Sequence, residues 1–339
     1  MDRPPKVCIV TPVYNGAAYI AETVESVLAQ DYESLEYIVV DDGSSDHTLK
    51  QLAPYQRRLR LIRQANLGEA AAVNAGVAES DAEFIGIVNA DDPLLPGLVR
   101  AAVERLRTNP RLQGVYPDWL KIDAQGLVME AVKARNYDYE VLLAQHFCMI
   151  GPGCLFRRSG LAGAPPRDPR FRFTGDFHQW LRMGLVGPFA RIPETLATWR
   201  YHEGGASQAS RNREMAENKI QAVQEILERS VLPEQVAHRS GEALSTAYYE
   251  AALLGLQDPQ VPARSYMIES FRHAWRWPRD RIPERQRSWR LVLFALGLPL
   301  TRPLAALYRL TYPKRFRPPS GSIHYRDWQA GREAIGAAW

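Results

Sequence analysis

Short apolar runs and longer stretches of helical spacing alternate along the first part of the chain. Residues 6–10 (KVCIV) form a β-branched apolar run stopped by Thr11-Pro12, the pattern of a buried strand. Within 17–30 the apolar positions Ile20, Val24, Val27 and Leu28 recur at helical spacing. Residues 35–40 (LEYIVV) read as a second buried strand, closed by Asp41-Asp42-Gly43. A helix from about residue 46, a short strand at 59–62 and a helix from 68 to about 79 follow, and then 82–88 (AEFIGIV) runs into Asn89-Ala90-Asp91-Asp92. Strands separated by helices predict a largely parallel sheet with helices on both faces. Ligands of such sheets bind beyond the carboxyl ends of the strands, which is where these polar clusters fall.

The pattern changes further on. It is mixed from 112 to about 200, strand-like at 112–123 (LQGVYPDWLKID) and helix-like at 139–147 and 176–183. Beyond Ser207 it reads as helix: 212–229 and 233–257 are long and unbroken, 264–275 adds another, and Pro259 and Pro262 punctuate them. No repeat of fixed period emerges, and these helices suit a small bundle. The expected division is an α/β unit over 1–210, a helical unit over 211–290 and a terminal segment over 291–339.

Length and composition bound the picture. A chain of 339 residues suits about two domains, and 46% hydrophobic with 24% charged residues is ordinary for a globular protein. Three cysteines do not make a disulfide scaffold, and Cys148 and Cys154 lack a second Cys/His pair at zinc spacing. Cys8, inside the first strand, reads as core. The opening residues lack a signal-peptide layout, so a cytoplasmic protein is expected.

Charge is unevenly spread. From Gln260 to Trp339 there are 15 basic residues against 5 acidic, a local balance of +10, although the whole chain carries only +4. A basic segment on an acidic-leaning body suggests an anionic partner, either phospholipid or nucleic acid. An arginine-rich composition is the plainer explanation, since 36 of the 42 basic residues are Arg. Within this segment, 291–310 (LVLFALGLPLTRPLAALYRL) has about the length of a bilayer span, yet Pro299, Arg302 and Pro303 interrupt its middle. With Arg285, Arg287, Arg290, Arg309, Lys314, Arg315 and Arg317 as flanks it reads as a helix in the interface of an anionic membrane, at the inner face of the plasma membrane. Packing on the body, or on a dimer partner, is the alternative.

The motifs carry the chemistry. TPVYNGAAYIAETVESVLAQDY opens the chain, VVDDGSSDHT follows the second strand, NLGEAAAVNAG precedes the fourth, NADD follows it, and TGDFHQWLR comes further on. In this order they resemble the family-2 glycosyltransferases over roughly residues 5–208. The resemblance implies the glycosyltransferase-A fold, a Rossmann-like nucleotide-diphospho-sugar transferase architecture with a mostly parallel mixed sheet between helices. It also implies an inverting transfer from a nucleoside-diphosphate sugar, first a UDP-sugar, to a hydroxyl of a glycan or polyprenyl-linked acceptor in bacterial surface polysaccharide synthesis, with no nucleic-acid partner.

Carried over residue by residue, the resemblance makes Thr11, Pro12, Tyr14, Asp41, Asn66 and Asn89 donor-nucleotide residues. A strand-end carboxylate can accept a ring N–H or a ribose hydroxyl, while Asp41–Ser44 read alone is a strand-to-helix turn with an N-cap. Asp91 stands at the metal position of the family's Asp-x-Asp motif, and Asn89, neutral, departs from its first place. Mn²⁺ or Mg²⁺ there would neutralise the leaving diphosphate. Asp176 takes the place of the catalytic base, which removes the acceptor hydroxyl's proton; Gly175 replaces the acidic residue that usually precedes it. WRYHEGGAS at 199–207 resembles the segment that closes over the diphosphate, making His202 a metal or phosphate ligand and Arg200 a phosphate ligand. Trp180 and Arg182, further along the helix of the base, read as packing or as acceptor contacts. Two alternatives stand beside this reading. A sugar nucleotidyltransferase would show a Gly-rich phosphate loop after the first strand, and none is present. A non-catalytic scaffold of the same fold draws its support from Asn89 and Gly175.

Overall fold

The computed structural model describes residues 3–205, 213–229, 232–255, 258, 260–274, 318 and 322–328. The chain begins β1 (Val7–Val13), α1 (Ile20–Leu28), β2 (Leu35–Asp41), α2 (Thr48–Leu52), β3 (Arg60–Arg63), α3 (Glu69–Ala78), β4 (Phe84–Ile87) and α4 (Leu98–Thr108). It continues with β5 (Gly114–Ile122), β6 (Val128–Val132), α5 (Tyr139–Gln145), β7 (Leu155–Arg157), α6 (Gly175–Val186) and β8 (Phe189–Arg200). The strands form one sheet in the order β3-β2-β1-β4-β7-β5-β6, with β8 also on β5. β1, β2, β3 and β4 run parallel, β8 runs parallel to β5, and β7 and β6 are antiparallel to their neighbours. This is the expected mostly parallel mixed sheet, and its first four strands begin and end within three residues of the apolar runs that predict them.

Side-chain alternation explains why the strands are buried on both faces. Cys8 and Val10 of β1 and Ile38 and Val40 of β2 enter one apolar cluster, while Val7, Ile9, Tyr37 and Val39 enter the other. Helices α1 and α4 cover the second face, and α3, α5 and α6 the first. Continuous apolar runs of this kind suit a parallel sheet sandwiched between helices.

Three strands escape the sequence pattern for physical reasons. β7 has three residues, too few for a period. β6 is an antiparallel edge of mixed polarity. β8 is long, but its register against β5 shifts on both sides of Asp118, so its alternation slips near Pro193 and Glu194. In the helical part, α7 (Arg213–Leu227) and α10 (Ala263–His273) match expectation, while the helix expected over 233–257 is two, α8 (Glu234–Ala237) and α9 (Ser240–Leu254). Buried Arg239 sits at the break and bridges Glu140 at 3.1 Å to Glu242 at 2.6 Å. Ala216, Ile220 and Val223 of α7 and Ala243 and Ala247 of α9 share one apolar cluster with α5 and α6. The stretch 291–310 and the basic residues flanking it lie outside the described residues.

Candidate active site

The loops beyond β1, β2 and β4 converge because β1 is the strand between the other two. Val13, the last residue of β1, pairs with Asp41, the last of β2. Four polar side chains lace their loops together. Asn15 Oδ1 accepts the Ser45 N–H at 2.9 Å, and the Asn15 N–H donates to Ser44 Oγ at 2.9 Å. Asp46 and Thr48 do the same for Ala17 and Gly16, at 3.1 and 2.9 Å.

Asp41 is fully buried. Its Oδ1 accepts the Ser44 N–H at 3.1 Å, the turn the residues predict, but its Oδ2 has no hydrogen-bond partner and lies 3.5 Å from Arg63 Nε. The Arg63 guanidinium is therefore the one charged partner of this oxygen among the described residues. Thr11 and Pro12 are buried beneath it, and Thr11 Oγ1 accepts the Tyr37 hydroxyl at 3.1 Å. Tyr14 is 52% exposed at the rim.

Asp42, which the motif reading passes over, builds the next wall. Its carboxylate accepts the Leu67 N–H at 2.9 Å, the Gly68 N–H at 2.8 Å and Gln64 Nε2 at 2.7 Å. That grip draws exposed Asn66 to the β2 loop so closely that a Cβ on Gly43 (φ +77°) would fall 2.9 Å from the Asn66 nitrogen. Only glycine fits both that φ and that space.

At the end of β4, Asn89 Nδ2 donates to Asp92 Oδ2 at 2.9 Å, and Asp92 Oδ1 accepts the Arg200 N–H at 2.7 Å. Burial, and then the neighbouring Asp91 carboxylate, push Asp92 up to about 8. Asp91 points the other way. Its Oδ2 meets His202 Nε2 at 2.8 Å, joining residues 111 positions apart, and the His202 ring packs on Tyr19 at 4.8 Å between centroids. The two expected metal ligands are thus in direct contact. Among the described residues no three His, Cys, Asp or Glu side chains cluster as a complete metal site. One carboxylate and one imidazole do fit a divalent ion whose remaining positions come from ligand phosphates and water.

Arg200 is the residue whose surroundings differ most from expectation. Its side chain is 1% exposed and ion-paired to Glu22 at 2.5 Å. Nε donates to the Asp91 carbonyl at 2.9 Å, and Nη1 to the Asp123 and Ala124 carbonyls at 3.2 and 3.4 Å. These bonds hold the guanidinium against the Asp91 loop and the β5–β6 turn.

Asp176 is exposed in the first turn of α6, where its Oδ1 accepts the Phe177 N–H at 2.7 Å. Beside it runs Arg167, another residue the motifs do not reveal, buried and 3.2 Å from where a Gly175 Cβ would stand. Arg167 is pinned by Asn74 through both backbone groups at 2.7 and 3.0 Å, by Gln179 and by Glu69. Trp180 is core, edge-on to Phe156 and Phe189, and Arg182 donates to the Pro165 and Pro166 carbonyls, so packing accounts for both. Half-buried Trp119, Trp199 and Tyr201 line the β5–β8 ends, with Lys121 over the last two at 5.3 and 5.1 Å. The period-two spacing of Trp199 and Tyr201 was the available signal for them. A cavity of about 640 Å³ opens beside Met149, lined by Arg135, Asn136, Gln145 and Arg191 among others.

Comparison with known proteins bears on the family and the fold. Residues 8–162 match the family model described as glycosyl transferase family 2. An uncharacterised glycosyltransferase of Rickettsia prowazekii is 28% identical over 61% of this chain and 68% of its own length. Chondroitin synthase of Escherichia coli is 30% identical over 57% of this chain, which accounts for 28% of that enzyme. In fold, the chain is similar to TarS 1–349 of S. aureus, with a TM-score of 0.62, 16% identity and coverage of 94% and 98% of the two chains. It is also similar to the mannosyltransferase PcManGT of Pyrobaculum calidifontis, with a TM-score of 0.53, 19% identity and coverage of 92% and 89%. The nucleotidyltransferase and scaffold readings gain no support from these likenesses. Residues 8–162 form a family-2 glycosyltransferase domain on the glycosyltransferase-A fold, and the chain is a glycosyltransferase.

Proposed function

We propose that the chain moves a sugar, with inversion, from a nucleoside-diphosphate donor to a hydroxyl of a growing glycan. The observation that carries this reading is the buried Asp41 carboxylate at the end of β2, whose Oδ2 accepts no hydrogen bond and faces Arg63 at 3.5 Å. It supplies the acceptor that a nucleobase N–H or ribose hydroxyl needs, beside the Asn66 loop. Related structures hold UDP, UDP-GlcNAc, or GDP-Man with Mn²⁺, which supports a nucleotide-sugar donor, and we take UDP as its nucleotide. Asp91 and His202 are the residues that would hold Mn²⁺ or Mg²⁺, which when bound supplies positive charge to the leaving diphosphate.

Asp176 accepts the proton of the acceptor hydroxyl as that oxygen attacks the anomeric carbon. The bond from that carbon to the diphosphate breaks in the same displacement, and the diphosphate leaves with the electron pair. One carboxylate base and a single displacement invert the centre. Trp199 and Tyr201 offer faces for a sugar ring to pack on, which suits a glycan acceptor. Chondroitin synthase and the hyaluronan synthase of Pasteurella multocida, 28% identical over 57% of this chain, support polysaccharide synthesis as the setting.

Thermal-shift titration with UDP, GDP and CDP, each with and without Mn²⁺, tests the reading. UDP with Mn²⁺ should raise the melting temperature of the wild type, since a ligand of the native state stabilises it, and Asp41→Asn should lose most of that shift. No shift with any of the three nucleotides would overturn it.

A further inference from the structure

Residues 322–328 return to the catalytic domain more than a hundred positions after the last residue of β8 and dock beside the Asp91 loop. Their backbone adds to the β5–β6 hairpin: the Val128 N–H donates to the Ile323 carbonyl at 2.9 Å and the Tyr325 N–H to the Gly126 carbonyl at 3.0 Å. The hairpin is shaped for this contact, since Gly126 has φ +84° and a Cβ there would fall 2.5 Å from His324 Nε2. Tyr325 and Trp328 are buried in a small apolar cluster with Leu95, Leu120, Ile122 and Val128. Leu95 belongs to the same loop as Asp91.

A polar chain runs from this segment to the candidate metal ligands. The Tyr325 hydroxyl donates to Glu22 Oε1 at 2.9 Å. Glu22 Oε2 pairs with Arg200 at 2.5 Å, and Arg200 donates to the Asp91 carbonyl at 2.9 Å. Asp91 Oδ2 meets His202 at 2.8 Å. Arg326 adds a second cation to Glu22 at 3.5 Å. Arg200 and the segment also hold the same hairpin turn from two sides, through the Asp123 and Ala124 carbonyls and through the Gly126 carbonyl.

We propose that residues 322–328 are a strap that sets the Asp91 loop, with Tyr325 a positioning residue acting through Glu22 and Arg200. Glu22 is the junction: it neutralises Arg200 and fixes where the guanidinium points, so the Asp91 carbonyl is held in place and its side chain is left to turn toward His202. The hydroxyl of Tyr325 fixes Glu22 in turn. This inference rests on the proposed donor site only for its metal readout. Its structural readout is independent.

The test compares full-length wild type, Tyr325→Phe and Glu22→Gln. Tyr325→Phe keeps the buried ring and removes the hydroxyl. Hydrogen exchange in the metal-free protein should quicken at residues 89–95 and 123–127 in both variants, with the β1 and β2 amides unchanged. The Mn²⁺ concentration for half-maximal UDP binding should rise roughly 10-fold, as is typical when a partner of a metal ligand is lost. UDP binding without metal should not change, and a merely structural role would weaken both equally. Wild-type exchange at 89–95 in both variants would overturn the strap. Quickened exchange together with an unchanged Mn²⁺ requirement would overturn its action on Asp91. If wild-type protein binds no UDP with Mn²⁺, the donor-site reading fails, and the exchange data alone decide the strap.

Discussion

Asp176 owes its availability to its position. In the first turn of α6 its carboxylate lies near unpaired backbone N–H groups and takes one of them, yet it stays exposed. Asp176→Asn keeps that shape and loses the proton acceptor. Turnover should fall by about 10²-fold or more while UDP affinity holds, a split readable from steady-state rates beside direct binding. Equal loss of UDP binding would mean that the residue serves the helix end or the donor instead. Its neighbours divide labour by burial: Asp42 and Arg200 spend their polar atoms on the backbone of adjacent loops, whereas Asp41 Oδ2 accepts no hydrogen bond and meets Arg63, and Asp176 stays exposed. Composition alone does not separate these carboxylates. Which oxygen is already paired does.

At the scale of elements, the helices behind the sheet reach the back of this site. His146 ends α5 with φ +52°, is buried, and packs on Phe177, the residue after Asp176. Its Nδ1 lies 3.2 Å from Glu250 of α9, which also pairs with Lys219 of α7. Burial opposes the Glu250 charge, yet Lys219 and His146 hold that carboxyl down at about 2. Burial lowers His146 from its ordinary 6.5, so the unfolded chain takes up a proton near that pH that the folded one refuses. Stability is therefore complete above pH 6.5 and falls as the pH drops through it. Burial lowers His178 likewise and adds to the effect. His146→Asn, whose side chain tolerates the left-handed backbone, should cost about 1 kcal/mol at pH 8 and flatten the decline between pH 7 and 5. Melting temperatures measured across that range check it, and parallel curves for the two proteins would show that His146 is not the group titrating.

For the whole molecule, the uneven charge remains the main feature beyond the catalytic fold. No helix among the described residues is long and apolar enough to cross a membrane. The described chain rests on the body on both sides of 291–310, at α10 and again at 322–328. Full-length protein should cosediment with vesicles rich in anionic lipid and not with neutral ones. It should partly wash off at 1 M salt, where the screening length is about 3 Å. Protein that stays in the supernatant with both kinds of vesicle would remove the membrane-surface proposal and leave 291–310 as a packing segment.

The strands and helices of residues 6–88 were legible in the sequence because β1, β2 and β4 are buried on both faces and the helices on one, so periodicity marks them, while the edge strand β3 showed as a short run between turns. The motifs at the strand ends were legible for a related reason: a parallel sheet carries its ligands there, and turn-forming acids and glycines stand out against apolar runs. Pairing across the chain was not legible. That Arg200 braces a loop and that Tyr325 reaches Glu22 depend on β8 lying parallel to β5 and on a late segment adding to a hairpin. Such contacts leave no period in the sequence, because hydrogen bonds between side chains and distant backbone require proximity, not pattern. Local residue order determined the sheet and the candidate loops, while only the tertiary structure decided which of their polar atoms are already paired and which are left for a ligand.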